Sequence, residues 1–216
     1  MNRMAGTDSK RRSSDAFRRH PIGRCLEPVD RAWTALRPTA VGGAIASWLA
    51  ERGSLTRRLR AGCRRLELIL LRQRAARPLP DELALLGLRP GRYTWVREVL
   101  LLADGRPVLY AHSVARFSSL RFAWRPLLRV GLRPVGDAIF DRPGTRRGPI
   151  RVRRVSSGHR LHRAASRALA AATSLGVERL PALWARRSPF VHTGQALWIT
   201  EVFLPQIARI GAPLTR

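Results

Sequence analysis

Two runs rich in apolar, β-branched and aromatic residues flank Asp104-Gly105, one from Tyr93 to Ala103 and the other from Arg106 to Val114. Asp-Gly between such runs is a strong hairpin signal, because both residues tolerate a positive φ. Along the first run, successive side chains point to opposite faces of the strand. The pattern therefore predicts two antiparallel strands joined by a tight turn.

Helical spacing replaces this pattern in residues 41–62, where apolar residues recur at i, i+3 and i+4 from Ile45. Gly53 is predicted to end a first helix, and Ser54 is predicted to cap a second one. Four further helical segments are predicted: a short turn capped by Asp81, a helix over residues 118–130, a short one after Arg133-Pro134, and one in the Ala-rich stretch of residues 156–180. Gly176 is predicted to end the last of these.

The remaining apolar runs predict more strands. Residues 64–74 are apolar on both faces, which favours a central strand. Thr193-Gly194 lies between two further apolar runs and predicts a second hairpin. Together these elements predict an α+β fold in which an antiparallel sheet, with helices packed on one side, closes a buried ligand pocket.

The chain is long enough for one domain with a sizeable core, since it has 216 residues. Residues 1–37 hold nine basic and four acidic residues with little apolar pattern, which predicts a basic, disordered N-terminal extension. The domain proper is predicted over residues 38–210, with a basic Ala-rich insertion at about 156–180.

The formal net charge is +27, and all but one of the 41 basic residues are arginine. Such a chain is expected to associate weakly with polyanions or an anionic membrane surface. The arginines are spread along the chain, however, and we find neither a nucleic-acid-binding motif nor aromatic residues interleaved for base stacking. No specific nucleic-acid partner is predicted, and a compositional bias on ordinary surface positions explains the charge equally well.

The sequence predicts neither a metal site nor a cofactor. Cys25 and Cys63 are the only cysteines, and they form no C-x-x-C motif. His159 and His162 are three residues apart but have no acidic or cysteine neighbours, so we interpret them as surface residues. There is no apolar core of a secretory signal near the N-terminus and no run of membrane-spanning length, so the expected compartment is the cytoplasm.

Two charged residues lie on apolar strand faces. Arg97 shares its face with Trp95 and Val99. Glu201 shares its face with Ile199 and the other alternate apolar residues of its strand. Buried charges are usually paired, so the spacing favours an internal pair between Arg97 and an acid such as Glu201. The alternative is that Arg97 grips a ligand carboxylate with two nitrogens.

Four motifs carry a resemblance to a known family: W-V-R-E-V-L-L-L-A-D-G-R-P, R-P-V-G-D-A-I-F, L-W-A-R-R-S and I-T-E-V-F-L-P. In this order and at these spacings the chain resembles chorismate lyase, over about residues 41–155 and 181–207. The resemblance implies a cofactor-independent lyase that removes pyruvate from chorismate to give 4-hydroxybenzoate, the first committed step of ubiquinone biosynthesis. It also implies that chorismate and 4-hydroxybenzoate are the small-molecule partners of a protein that we expect to be a monomer.

Position by position, the resemblance implies roles for four residues. Arg97 matches the arginine that grips the ring carboxylate, and Glu201 matches the acid that faces the 4-hydroxyl. Val135 matches an apolar residue, usually leucine, that supplies a backbone amide and a wall of the pocket. Leu55 matches an apolar flap residue. His112 has a counterpart in the family that is not histidine, and we interpret it as structural.

Two other functions stay open at this stage. Effector-binding domains of transcription regulators have a similar fold and bind a small acid without turning it over, although no helix-turn-helix is apparent in the first 40 residues. A basic nucleic-acid-binding protein is the third interpretation, and steep salt dependence of duplex binding is its simplest sign.

Overall fold

The structure, a computed structural model, describes residues 32–36, 41–173 and 180–210. The helices are α1 (Ala44–Ala50), α2 (Leu55–Ala61), α3 (Pro80–Leu86), α4 (Phe117–Arg121), α5 (Val135–Phe140) and α6 (Arg160–Ala172), with 3-10 turns at Arg125–Arg129 and Pro205–Arg209. The strands are β1 (Thr34–Ala35), β2 (Leu66–Ala76), β3 (Thr94–Ala103), β4 (Arg106–Ala115), β5 (Arg146–Arg147), β6 (Arg151–Val155), β7 (Leu183–His192) and β8 (Gln195–Phe203).

All eight strands of the described chain belong to one antiparallel sheet. The order across the sheet is β1-β6-β7-β8-β4-β3-β2, and β5 pairs with β7. The predicted α+β class and the antiparallel sheet are confirmed. Because β3, β4, β8 and β7 are neighbours, residues that are far apart in the sequence come to lie in the same transverse row.

The two predicted hairpins both form, and their turns have the backbone that the sequence requires. Asp104 and Gly105 have φ values of 49° and 75°, and Thr193 and Gly194 have φ values of 43° and 76°. Positive φ at both central residues matches the right-handed twist of the flanking strands. The predicted cap of α2 is confirmed as well, since Ser54 Oγ accepts a hydrogen bond from the Arg57 amide at 3.2 Å.

Helices cover both faces of the sheet, whereas the sequence predicted them on one side only. Helices α1, α2 and α5 pack on the face that carries Arg97, which we call the site face. Helices α3 and α6 pack on the opposite, rear face. Helix α6 falls in the stretch predicted as a basic insertion, and it buries Leu161, Ala165 and Ala168 while its arginines point outwards.

The predicted central position of residues 64–74 is wrong, because β2 lies at the edge of the sheet. An apolar run on both faces is typical of a strand covered on both sides, but β2 is only partly covered: Leu71 and Ala76 pack against the rear-face clusters, and Ile69 is 39% exposed. The helix predicted over residues 118–130 is also broken: α4 ends at Arg121 and a 3-10 turn follows, with Pro126 inside it.

The sequence analysis placed the start of the folded domain at residue 38, but the fold begins earlier. Trp33 is buried, and β1 pairs with β6. The rest of the predicted extension, residues 1–31 and Arg37, lies outside the described residues, as does Gly176, the predicted end of the helix in the insertion. Within the described ranges, no helix is long and apolar enough to cross a membrane.

Candidate active site

Two adjacent rows of side chains on the site face bring the predicted charged residues together. One row runs Gln73, Arg97, Ser113, Ile199 and Ser188 across β2, β3, β4, β8 and β7. The next row runs Val99, Ala111, Glu201 and Arg186 across β3, β4, β8 and β7. Arg97 and Glu201 are two strands and two residues apart, so their Cα atoms are separated by about 12 Å. Arg97 and Glu201 therefore lie on the same face of the sheet without being directly opposite each other.

The strand between the two charged residues carries small side chains. On β4, Ala111 and Ser113 point to the site face between Arg97 and Glu201. Larger side chains at these positions would stand between the two charged residues. The ends of this stretch are closed by two apolar clusters, one around Trp95 and the other around Leu101. The site is thus a polar strip between two apolar walls.

Arg97 is almost fully buried, with only 1% of its surface exposed. Its Nη1 donates to Gln73 Oε1 at 2.6 Å, and its Nη2 donates to the carbonyls of Gly131 and Arg133 at 2.9 and 3.1 Å. All three acceptors are neutral, and burial lowers the pKa of the guanidinium. No carboxylate of the described chain pairs with it, so the expected internal pair with Glu201 is wrong. Its buried Nε has no hydrogen-bond partner among the described residues.

Glu201 is held by a different arginine. Arg186 Nε donates to Glu201 Oε2 at 2.5 Å, and Arg147 Nη2 lies 3.9 Å from the same oxygen. Glu201 Oε1 accepts no hydrogen bond from the described residues. The carboxylate is therefore fixed in orientation through one oxygen, while the other is available to a ligand hydroxyl.

The same two arginines fasten the segment that covers this end of the site. Arg186 Nη1 donates to the carbonyls of Trp48 and Glu51 at 3.2 and 2.6 Å. Arg147 Nη1 donates to the carbonyl of Arg52 at 2.9 Å. The connection between α1 and α2 thus lies over Glu201. This connection leads directly into the Ser54 cap of α2.

Helices α2 and α5 meet above the sheet. A Cβ atom built on Gly136 would lie 3.2 Å from Thr56 Oγ1, and Arg60 Nη2 lies 2.6 Å from Asp137 Oδ2. Leu55 is buried in the apolar cluster next to the Glu201 row, and Val135 is buried in the cluster next to Arg97. Val135 is the first residue of α5, so its amide has no acceptor within the helix.

The structure therefore brings all four predicted site residues to the site face. It adds three that the sequence analysis missed, namely Gln73, Arg147 and Arg186. Arg186 lies in the motif L-W-A-R-R-S, two residues before Ser188. Residues two apart on a strand point to the same face, and this spacing was the available signal. Arg147 lies in a two-residue strand and Gln73 on an edge strand, and neither position has a pattern that points to the site.

The rear face holds a separate buried ionic cluster centred on His112. His112 Nδ1 lies 2.9 Å from Glu98 Oε1, and Nε2 lies 3.2 Å from Glu82 Oε1. The cluster has three cationic and three acidic side chains: Arg72, His112, Arg187, Asp81, Glu82 and Glu98. His112 lies on the opposite face from Arg97, which supports the structural interpretation made from the sequence.

The electrostatics of this cluster predict how stability depends on pH. Burial alone would lower the pKa of His112, but the two glutamates outweigh it and raise the pKa to about 9. A raised folded-state pKa means that the stabilisation is complete below the unfolded value of about 6.5 and is lost as the pH rises through about 9. Glu98, whose pKa is lowered to about 2 despite its burial, contributes above its ordinary pKa and loses this contribution only as the pH falls through about 2.

We therefore expect the free energy of unfolding to fall by about 3 kcal/mol between pH 6.5 and a pH above 9. Urea titrations across this range measure it, with His112→Gln as the variant that cannot titrate. The variant is expected to be less stable at pH 6.5 and to show a flatter alkaline limb. A wild-type protein of constant stability from pH 6 to pH 10 would contradict the assignment.

In the part of the chain that the structure describes, no group of His, Cys, Asp or Glu side chains is arranged to hold a metal ion. The site face instead presents three buried or nearly buried arginines and a single acid. Guanidinium groups bind carboxylates through two parallel hydrogen bonds. The chemistry of this donor set therefore favours an organic acid with a hydroxyl group or ether oxygen at its other end.

An α+β domain that holds arginines and one acid against a buried sheet face has the groups to bind a small carboxylate ligand. Comparison with protein families gives a closer assignment: residues 31–210 match the family model described as chorismate lyase. The chain therefore belongs to the chorismate lyase family.

Relatives support this assignment over most of their length. The chain is 43% identical over 183 residues to a probable chorismate pyruvate-lyase of Azoarcus sp. strain BH72, covering 84% of this chain and 94% of the relative. It is 41% identical to the protein of the same name from Aromatoleum aromaticum, covering 86% of this chain and 98% of the relative. A third, from Thiobacillus denitrificans, is 43% identical over 76% of this chain and 83% of its own.

Similar solved structures are more distant. The C-terminal domain of PhnF has a TM-score of 0.49 and 14% identity, covering 66% of this chain and 83% of that domain. The ligand-binding domain of a GntR-family regulator from Bordetella bronchiseptica has a TM-score of 0.46 and 16% identity, covering 65% and 85%.

Proposed function

We propose that this protein removes pyruvate from chorismate to give 4-hydroxybenzoate, with Arg97 and Glu201 holding opposite ends of the ring. The observation that carries the proposal is the placement of a buried, acid-free Arg97 on the same sheet face as Glu201, about 12 Å away. Membership of the chorismate lyase family and the names of the relatives support it.

The ring carboxylate binds to Arg97 in this proposal. It supplies the negative charge that the described chain does not provide and that a buried guanidinium needs. Val135, beside the Gly131 and Arg133 carbonyls that position Arg97, contributes its amide and an apolar wall. At the other end, Oε1 of Glu201 accepts the hydrogen bond of the ring hydroxyl, and Leu55 covers the ligand.

The reaction is balanced without a second substrate. The bond between ring carbon 3 and the ether oxygen breaks, carbon 4 loses its hydrogen, and the methylene of the enolpyruvyl group gains a hydrogen to become the methyl of pyruvate. The ring becomes aromatic, so the step is strongly downhill. The residues contribute orientation, exclusion of water and fixed charges that stabilise the transition state.

Turnover by the purified full-length protein tests this proposal. Chorismate is incubated with the protein, and 4-hydroxybenzoate and pyruvate are both quantified over time. We expect the two products to appear in equal amounts. If 4-hydroxybenzoate binds but chorismate yields neither product, the protein is a binding module on this scaffold, and the lyase proposal is wrong.

The positive surface is expected to steer the substrate, because chorismate carries two carboxylates and the chain has a net charge of +27. Salt screens such steering, so kcat/KM is expected to fall about tenfold between 20 mM and 500 mM salt while kcat changes little. Steady-state kinetics at several ionic strengths measure this. A kcat/KM that is the same at both salt concentrations would remove the steering hypothesis.

We also propose that the protein acts as a monomer in the cytoplasm. The family assignment supports this, and none of the proposed site residues needs a second chain to reach the others. A single mass in solution near the 24.2 kDa of the chain is the expected result of light scattering.

A further inference from the structure

The site face carries more positive charge than the ring carboxylate requires. Arg97, Arg147 and Arg186 contribute three positive charges, and Glu201 contributes one negative charge. The nearby Glu51 carboxylate lies 3.6 Å from Arg58 and is neutral as a pair with it. The strip therefore has a net charge of +2. The ring carboxylate neutralises one of these two positive charges, and the other remains beside Glu201.

The remaining charge belongs to Arg147. Arg186 is 1% exposed and is committed through Nε to Glu201 and through Nη1 to two carbonyls. Arg147 is more open, with 12% of its side chain exposed. Its Nε donates to Ser188 Oγ at 2.9 Å and its Nη1 to main-chain carbonyls, whereas its Nη2 donates no hydrogen bond within the described ranges.

The surroundings of Arg147 hold it in place and favour an anion. The phenyl rings of Phe190 and Phe140 lie 5.2 and 5.8 Å from its guanidinium carbon. Burial, together with the charge of Arg186, lowers the pKa of Arg147 to about 10 although Glu201 and Glu51 act against this. Its acid neighbour is 3.9 Å away and already paired with Arg186 at 2.5 Å. A second anion next to Arg147 would relieve the repulsion between the two arginines.

We infer that Arg147 binds the carboxylate of the enolpyruvyl group and so forms a second carboxylate subsite, next to the one at Arg97. The inference rests on the proposed function. The enolpyruvyl ether is attached to the ring carbon adjacent to the one that bears the hydroxyl, so its carboxylate lies near Glu201 and within reach of Nη2. A site of charge +2 then receives a substrate of charge −2.

Two ring probes separate this subsite from the rest of the site. One is 3-(carboxymethoxy)-4-hydroxybenzoate, which carries a second carboxylate on an ether at the same ring position. The other is its amide, 3-(carbamoylmethoxy)-4-hydroxybenzoate, which has the same shape without the charge. Calorimetric titration of the full chain gives Kd for both probes and for 4-hydroxybenzoate. Wild-type protein is expected to bind the acid at least about tenfold more tightly than the amide.

In Arg147→Gln, the preference for the acid over the amide is expected to fall to about one, while Kd for 4-hydroxybenzoate stays within about twofold of wild type. Arg57, an exposed arginine of α2, provides the matched control, and Arg57→Gln is expected to keep the full preference. If Arg147 only fastens the Arg52 carbonyl, its loss weakens all three ligands equally and the inference is wrong. Preserved acid preference in Arg147→Gln would also overturn it.

Arg147→Lys is the second variant for the same titrations if Arg147→Gln does not melt cooperatively. Lysine keeps the charge but not the two-nitrogen grip, so the acid preference is expected to fall about threefold, and an unchanged preference would overturn the inference. Failure of the proposed function gives a different result. If chorismate yields no products but the ring acids still bind, the lyase proposal is wrong, and the acid preference of wild type and Arg147→Gln still decides the second subsite. If wild-type protein binds none of the three ring acids, the ligand site itself is wrong and the second subsite is excluded with it.

Discussion

Arg97→Met is expected to lower kcat/KM for chorismate by about a thousandfold while the melting temperature changes by only a few degrees. The loss corresponds to two charge-assisted hydrogen bonds of about 2 kcal/mol each between the guanidinium and the ring carboxylate. The small effect on stability follows from the partners of Arg97. Substitution removes a buried charge that has no acid beside it but leaves the carbonyls of Gly131 and Arg133 unpaired, and the two effects oppose each other.

Arg72→Met is the matched control for Arg97→Met. Arg72 lies one position from Gln73 on β2 and pairs with Glu98 of the rear cluster at 2.5 Å. Its loss is expected to lower the melting temperature and to leave kcat/KM of the folded protein close to wild type. Thermal melts and steady-state kinetics on both variants show whether each arginine serves activity or stability. An active Arg97→Met protein would contradict the assigned role.

Glu201→Gln is expected to lower kcat about a hundredfold without raising KM for chorismate. Glutamine keeps the shape and one hydrogen bond from Arg186, so the ring is still held, but the negative charge beside the ring hydroxyl is lost. Losing that charge also makes the strip more positive, which does not weaken the binding of a dianion. Steady-state kinetics that separate kcat from KM are the measurement.

Glu201→Ala is expected to be less stable than wild type by about 3–5 kcal/mol, because it leaves Arg186 and Arg147 buried side by side without an acid. Glu67, on the exposed edge strand, is the control, and Glu67→Ala is expected to have little effect. A Glu201→Ala protein as stable as wild type would contradict the ion-pair geometry. A Glu201→Gln protein with unchanged kcat would remove the catalytic role.

Local features of this fold could be predicted because local chemistry determines them. Asp104-Gly105 specifies a tight turn by its tolerance of positive φ, and Ser54 specifies a helix start by accepting an amide hydrogen bond. The start of α5 after Pro134 follows for similar reasons, since proline cannot continue a preceding helix and fits before one. In each case the signal lies within four residues of the feature.

Strand order could not be predicted in the same way. Residues 64–74 read as a central strand, yet β2 lies at the edge of the sheet: Leu71 and Ala76 pack against the rear-face clusters, whereas Ile69 is 39% exposed. The apolar pattern of a strand does not report how many neighbouring strands it has, because strand order depends on pairing with segments that are distant in the sequence.

The two charged residues of the candidate site, Arg97 and Glu201, could be predicted from the sequence, whereas the residues between them could not. Arg97 and Glu201 were visible as charges on apolar faces, and the family motifs reinforced them. Their relation was mistaken, because pairing depends on register: Glu201 lies opposite Arg186 on β7, whereas Arg97 lies opposite Gln73 on β2 and Ser113 on β4. The small side chains of β4 between Arg97 and Glu201 carry no signal of their own in the sequence.

The orientation of the ligand between Arg97 and Glu201 is the central claim, and one set of titrations tests it directly. Kd is measured for 4-hydroxybenzoate, benzoate and phenol with wild-type protein, Arg97→Met and Glu201→Gln. Wild type is expected to prefer 4-hydroxybenzoate over benzoate by about tenfold, and over phenol by more. In Glu201→Gln the preference over benzoate should shrink, and in Arg97→Met the preference over phenol should disappear. If Arg97→Met still prefers 4-hydroxybenzoate over phenol as strongly as wild type, the carboxylate does not bind at Arg97 and the proposed orientation is wrong.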